Sequence, residues 1–374
     1  MNPPTGLPAK DLRIMTSQLA SSTHPAPRLQ RLALAVACAG LLATLPVLAK
    51  DAPVSVAVDA SFNAADVAAK GFQIADNKAL KGITRVAVPV FVVDFVTADN
   101  VRTQTSGFGG FGRASSSLYY KLLGVGEPEF QALTDAMYAD FMQRLKDSGL
   151  EVLGKEEFQA AAAYRKLAAG GNPAPIKSDT NTVLTPPGMP IYGFARMSSG
   201  PAKPSAGLFG ALSGIGAGFS AVGDVMDSVD LATQLNAATI EVRLRVNFVE
   251  LADNNKGFFG RLSNTASTTG KTFPSIDGVM VQVQQGQIRS SMTLDRTLVL
   301  DPAVFTEVRE KATTAGDVAG AVLVGLIRLA SSSKDSSSSS EMEAVADPAR
   351  YKQIIGSGMN SLSDVVVARL KTER

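Results

Sequence analysis

The chain is poor in the residues that build reactive centres, with one histidine, one cysteine and no tryptophan among 374 residues. With one of each, no His₃, Cys₄ or Cys₂His₂ metal site can be assembled within the chain. A disulfide framework within one copy is excluded as well. Neither sign of charge is in excess, with 36 basic residues against 34 acidic, so composition offers no electrostatic case for a nucleic-acid partner. Apolar residues are present in quantity, 45% of the total, which suits a globular protein and exceeds what a disordered chain carries. The length corresponds to two domains or one elaborated domain at ~150 residues each.

The first 49 residues read as a signal peptide. Arg28 and Arg31 precede an uncharged run over residues 32–45, and Pro46-Val47-Leu48-Ala49 supplies a small-residue exit. A basic start, a short apolar centre and such an exit describe a secretory signal. The run is shorter than the ~20 apolar residues a membrane span needs. Met1 and Met15 are alternative starts, and cleavage after Ala49 leaves a chain from Lys50. Lipidation at Cys38, after Ala35-Val36-Ala37, is the alternative. Cleavage removes both His24 and Cys38, and with them a Ser-His-Asp triad, a Cys nucleophile and a His-ligated metal. The expectation shifts toward binding, scaffolding or assembly, with no catalytic residue, cofactor or metal ligand.

Beyond that segment, helices and strands interleave, so the fold class expected is α/β or α+β: a small mixed sheet flanked by helices. Residues 83–97 (ITRVAVPVFVVDFVT) read as one long strand, with an edge or a bulge at Pro89, which cannot donate to a ladder. Asp94 within it reads as a hydrogen-bonded strand-end residue rather than a catalytic acid. Residues 127–148 carry Phe130, Leu133, Met137, Phe141 and Leu145 at helical spacing, with Pro128 in the first turn and Gly149 just past the end. A short strand over 150–153 and a helix over 155–169 follow. Residues 230–236 are helical and 238–251 alternate as a strand. Paired strands over 278–285 and 287–294 turn at Gln285-Gly286. Asp301-Pro302 and Asp347-Pro348 each open a helix, Asp as cap and Pro at the first position. The domain expected is therefore 50–300 with an insertion at 170–230. After it comes a helical C-terminal region, 301–374, whose residues 331–340 contain eight serines and read as a solvated loop.

Three motifs resemble chemistry and fail on context. Gly107-Phe108-Gly109-Gly110-Phe111-Gly112 fits G-x-G-x-x-G but does not lead from a strand into a helix, as pyrophosphate binding requires. Gly270-Lys271-Thr272 is the tail of a P-loop whose first glycine position holds Thr265, in a segment read as linking two strands. Ser331-x-x-Lys334 matches a Ser–Lys pair only because it lies in a serine tract. A catalytic lysine there would need burial to lower its pKa.

Residues 204–223 are twenty without a charge. Leu208, Leu212, Ile215, Phe219, Val222, Met226 and Val229 form an a/d stripe over three heptads. Gly210, Gly214 and Gly218 lie on another line of the same helix, where absent side chains let a second backbone approach closely. A helix of twenty residues is ~30 Å long, the thickness of a bilayer core. Leu208, Gly210, Leu212, Gly214, Ile215, Gly218 and Phe219 are the candidate self-association or membrane-contact residues. The alternative is a buried helix in which glycine serves close packing, six glycines each weakening it by ~1 kcal/mol relative to Ala.

The order of segments resembles the amino-terminal domain of TolB and the curli secretion channel (CsgG-like) family. ITRVAVPVF from Ile83 looks like the first strand of that pattern. FMQRLKDSGLEVLGKEEF from Phe141 matches its helix, short strand and second helix. LATQLNAATIEVRLRVNFVEL matches the helix that runs into a strand, and VMVQVQQGQIRSSMTL the strand pair. The resemblance covers residues 83–294 without the insertion. It implies a periplasmic or outer-membrane-associated protein of envelope assembly, with other envelope proteins or a second copy as partner. In the channels two hairpins extend from the core into a barrel. Here their positions hold the largely polar residues 252–277 and the Asp301-Pro302 helix, neither of which alternates as a lipid-facing strand must. A ring-forming or scaffolding role is expected in place of a channel.

Overall fold

Ten consecutive buried positions in β3 (Arg85–Val96) give this strand its place, because a strand buried on both faces belongs inside a sheet. The computed structural model describes residues 54–106, 113–191, 220–253, 265–311, 326–332 and 337–374, all within one compact unit. The chain is α/β, as its interleaved pattern leads one to expect, but in place of the one small sheet expected it has two mixed sheets, one of them eleven-stranded.

The larger sheet has eleven strands. β3 pairs in parallel with β9 (Ala238–Asp253) on one side. On its other side lie β6 (Glu151–Val152), parallel, and β8 (Asn181–Leu184), antiparallel and itself paired with β7 (Ile176–Lys177). β10 (Thr265–Gln285) runs antiparallel to β9 along most of its length and then turns at Gly286 into β11 (Ile288–Leu294). β2 (Phe72–Ala75) extends β11, β12 (Arg296–Val299) joins β10 to β1 (Val54–Ala57), and β14 (Leu326–Ser332) pairs with the first third of β10. Pro89 falls in a register shift between Ala87 and Val90. The bulge reading therefore holds, and on the side away from β9 Pro89 falls between the stretches of β3 that pair with β6 (Arg85, Val86) and β8 (Val93 to Val96), so it lies outside both of those ladders.

Three helices cover one face of this sheet. In α2 (Glu127–Asp147), Glu129 accepts from the Gly126 amide at 2.9 Å and Gly149 adopts a left-handed φ of +87° just past the end. Its buried stripe meets β3: Phe95 stacks on Phe130 with ring centroids 4.5 Å apart, and Phe91 meets Phe141 at 6.0 Å. α6 (Pro348–Glu373), capped by Asp347 through the Arg350 amide at 2.8 Å, packs beside α2, with Tyr351 5.9 Å from Phe130. α1 (Ala64–Gly71), capped by Asn63, lies against α6. The return from β6 to β9 runs through α3 (Lys155–Ala160), α4 (Ala162–Ala169) and α5 (Ser220–Leu235). Of these, α5 lies against β9 and β10, α4 packs on α5, and α3 meets β3.

The second sheet has the order β13 (Phe305–Glu310), β15 (Ser337–Ala346), β5 (Arg113–Leu123) and β4 (Ala98–Ser106). β15 runs parallel to β5 with Ser337, Ser338 and Ser339 opposite Ser115, Ser116 and Ser117. Several expectations are corrected here. Among the described residues the expected helical C-terminal region holds three strands, one 3-10 turn and one helix. Asp301 does cap, accepting from the Ala303 amide at 2.8 Å, but only the 3-10 turn Pro302–Val304 follows before β13. Residues 337–340 of the expected serine loop are strand, because Ser337, Ser338 and Ser339 find small partners on β5, and Ser331 and Ser332 belong to β14. The helix expected over 155–169 is broken at Ala161, whose ψ of 137° is extended. Residues 181–184 of the expected insertion are a sheet strand. Residues 265–277 of the polar stretch belong to β10.

Two glycines in α6 make a test of this packing. A Cβ on Gly358 would lie 2.5 Å from the buried Leu300 Cδ2, whereas one on Gly356 would meet only Leu133 Cδ2, at 3.5 Å. Gly358→Ala should therefore destabilise by ~1–3 kcal/mol through overpacking. Gly356→Ala should stabilise by up to ~1 kcal/mol through helix propensity. Denaturant midpoints of the two variants, moving in opposite directions, are the check.

Candidate functional site

Along β9 the side chains alternate between Ile240, Val242, Leu244, Val246 and Phe248 on one face and Thr239, Glu241, Arg243, Arg245 and Asn247 on the other. The apolar set joins the core. Residues directly opposite on neighbouring strands share a face, and Arg245 lies opposite Asp94 of β3 on one side and Asp277 of β10 on the other. Three adjacent strands thus present Asp, Arg and Asp in one row.

The row is closed by hydrogen bonds. Arg245 Nε donates to Asp94 Oδ2 at 3.2 Å, and Asn181 Nδ2 of β8 donates to Asp94 Oδ1 at 2.8 Å. Asn247 Nδ2 donates to Asp277 Oδ2 at 2.7 Å. The Asp94 side chain is 4% exposed and that of Arg245 17%. Asp277 is only partly buried as a residue, but its carboxyl is enclosed, and burial pushes it up to about 6. Arg245 and the Asn247 bond pull it down, while Asp94 and Asp99 add repulsion. Burial likewise raises the Asp99 carboxyl, against the Asn100 amide and Arg245. Burial lowers the Arg243 guanidinium, a change that Asp94 opposes and Arg245 reinforces.

Asp99 comes from the other layer. It stands opposite Tyr120 on the face of β4 that also carries Val101 and Thr103, while Asn100, Arg102 and Gln104 face outward. That inner face packs on the distal halves of β9 and β10. Ser116 and Thr268 are hydrogen-bonded at 2.9 Å, and a Cβ on Gly270 would lie 2.7 Å from the Tyr120 ring. The glycine of the P-loop-like tail therefore lets two sheets approach, and it lies within a strand, not in a phosphate-cradling turn. The charged row sits where this second layer meets the first.

A carboxyl near 6 is suited in principle to acid–base work, but both Asp94 oxygens and one Asp277 oxygen are engaged by neighbours. Among the described residues no group of three or more acidic, His or Cys side chains is arranged to hold a metal ion. The arrangement works as a clasp between strands. Asp94 has the hydrogen-bonded partners its strand position leads one to expect. The sequence reading does not identify Asp277, Asp99, Arg245, Asn181 or Asn247. The period-two polar face of β9 was the available signal.

Leu208, Gly210, Leu212, Gly214, Ile215, Gly218 and Phe219 lie outside the described residues, as do residues 1–53, residues 107–112 and Lys334. Further along the same stripe, Met226 is 59% exposed, whereas Asp227, Ser228, Leu231 and Ala232 form the buried side of α5. Asp227 accepts from Lys166 of α4 at 2.6 Å. No helix among the described residues is long and apolar enough to cross a membrane. The outward face of the small sheet is charged: Arg309 pairs with Glu307 and Glu343, both at 2.9 Å, and Lys311 with Glu341 at 2.8 Å. Exposed pairs of this kind contribute at most ~1 kcal/mol each. No family model, curated protein or solved structure matches the chain.

Breaking the clasp on one side leaves a buried charge alone, so Arg245→Ala should cost ~3–5 kcal/mol. Asp94→Ala should cost a similar amount, and the double variant less than the sum of the two. Chemical denaturation of the three variants gives the coupling directly.

Proposed function

We propose that the protein is a non-catalytic, periplasmic or secreted cell-envelope protein that acts in protein assembly, secretion or scaffolding. The observation that carries this reading is the β-lobe. The hairpin of β4 and β5, that of β9 and β10, and the neighbouring strands β14 and β15 all end at the same side of the lobe. Their ends are rich in hydroxyl groups, and the outward face of the small sheet carries charge, a surface suited to protein contact and unsuited to lipid. The buried charges support the same reading, since Asp94, Arg245, Asn247 and Asp277 are engaged in joining strands of the large sheet. The signal-like N-terminus supports export, and the segment order resembling TolB and the curli channel family supports an envelope role.

A second reading is a membrane-inserting or pore-forming oligomer that uses the glycine-rich segment 204–223. The exposure of Met226 favours it, because the apolar stripe of that segment reaches the surface of α5 there.

Native mass spectrometry of the chain starting at Lys50, with and without detergent, separates the two. The envelope-scaffold reading expects the same oligomer in both conditions, and release of the chain by osmotic shock. Assembly only in detergent, weakened by Gly214→Leu, would favour insertion. A monomer in both conditions across micromolar concentrations would count against both.

A further inference from the structure

The charged row lies at the seam between the sheets, and its charges do not balance locally. Asp94 of β3 and Asp277 of β10 lie opposite Arg245 of β9 on either side, and Asp99 of β4 interacts electrostatically with both Arg245 and Asp277. Arg243 stands two residues earlier on the same face, and Glu241 further along it opposite Gln282. Asn181 of β8 and Asn247 of β9 contribute neutral donors only. Asp99 is the contribution of the small sheet, on the first strand after the chain leaves β3 at Val96. Any excess negative charge in this cluster therefore acts across the join between layers.

We propose that the Asp94, Asp99, Asp277 and Arg245 cluster is a pH-operated clasp. It holds the small sheet firmly on the large one in mild acid and loosens the β4 and β5 hairpin as the solution becomes neutral. The direction follows from linkage. The carboxyl of Asp277 lies above its ordinary 3.8, at about 6, so the folded state holds its proton more tightly than the unfolded chain does. The stability this contributes is fully present below the ordinary value and is lost as pH rises through about 6. Asp99 is shifted in the same direction, with burial as the main cause. The loss is local to the seam because the aromatic contacts of α2 with β3, and of α6 with α2, include none of these carboxyl groups.

The test is hydrogen exchange at pH 5.0 and pH 7.5, expressed as protection factors so that the intrinsic pH dependence cancels. Protection of β4 and β5 amides is expected to fall by roughly 10-fold over that interval, while α6 amides change by less than about 3-fold. Asp277→Asn should abolish most of the fall in β4 and β5. Asp99→Asn should reduce it, and answers the question if Asp277→Asn does not fold. An undiminished fall in either folded variant would overturn the proposal. So would equal loss across α6, or no fall in the unaltered chain.

Discussion

β9 and β10 are longer than one layer of packing can cover, and the rest of the architecture answers that constraint. Sixteen residues of β9 at ~3.3 Å each extend ~50 Å, and β10 is longer still. Helix α2, with 21 residues, reaches ~31 Å, and α6, with 26, ~39 Å. The face of the paired strands turned away from α2 and α6 would be left wet without a second cover. Sheet-on-sheet packing supplies it on the other face: β4, β5 and β15 close over the distal strands, with Gly270 leaving room for Tyr120. Register shifts between Thr272 and Ser275, and between Asp277 and Met280, bend β10 where one regime passes into the other.

Electrostatics is concentrated at that passage. Polar side chains lie close to the core there, and β9 supplies them at every second position. Arg245 meets Asp94 on one neighbouring strand and lies opposite Asp277 on the other only because β3, β9 and β10 are adjacent and in this register. A slip of one residue would turn the arginine into the helix-covered face and strand Asp94 without a cation. The charged row thus acts as a register pin, and its specificity matters more than its net energy, since a buried pair gains little over an apolar one once desolvation is counted.

The distal lobe has a different chemistry from the helix-covered half. Ser116, Thr103, Ser267, Thr268 and Ser340 are buried there, and hydroxyl pairs such as Ser116 and Thr268 replace aliphatic contacts. Small hydroxyl side chains fill a narrow gap between sheets but bury little apolar area, so this half is held by backbone pairing and polar contacts more than by hydrophobic burial. The helix-covered half, with its stacked aromatic rings, serves as the rigid base.

What local chemistry dictates was legible in the chain. Helical spacing with Pro128 and Gly149 determined α2, the Asp347 cap determined the start of α6, and the apolar run determined β3. Alternation determined β9, and Gly286 the turn after β10. Each of these signals is complete within a dozen or so residues. The serine tract was not legible, because Ser337–Ser340 carry no alternation and no β-branched residue, and serine alone favours turns. Those residues are strand because Ser115–Ser117, more than two hundred positions earlier, present a matching row of small side chains in parallel register. The clasp depends on the same kind of distance. The sequence by itself determined that β9 has one polar face. Only the tertiary structure decided that Asp94, Asp277 and Asp99 would meet it, because hydrogen-bond register between distant strands is a property of the assembled sheets and of no single segment.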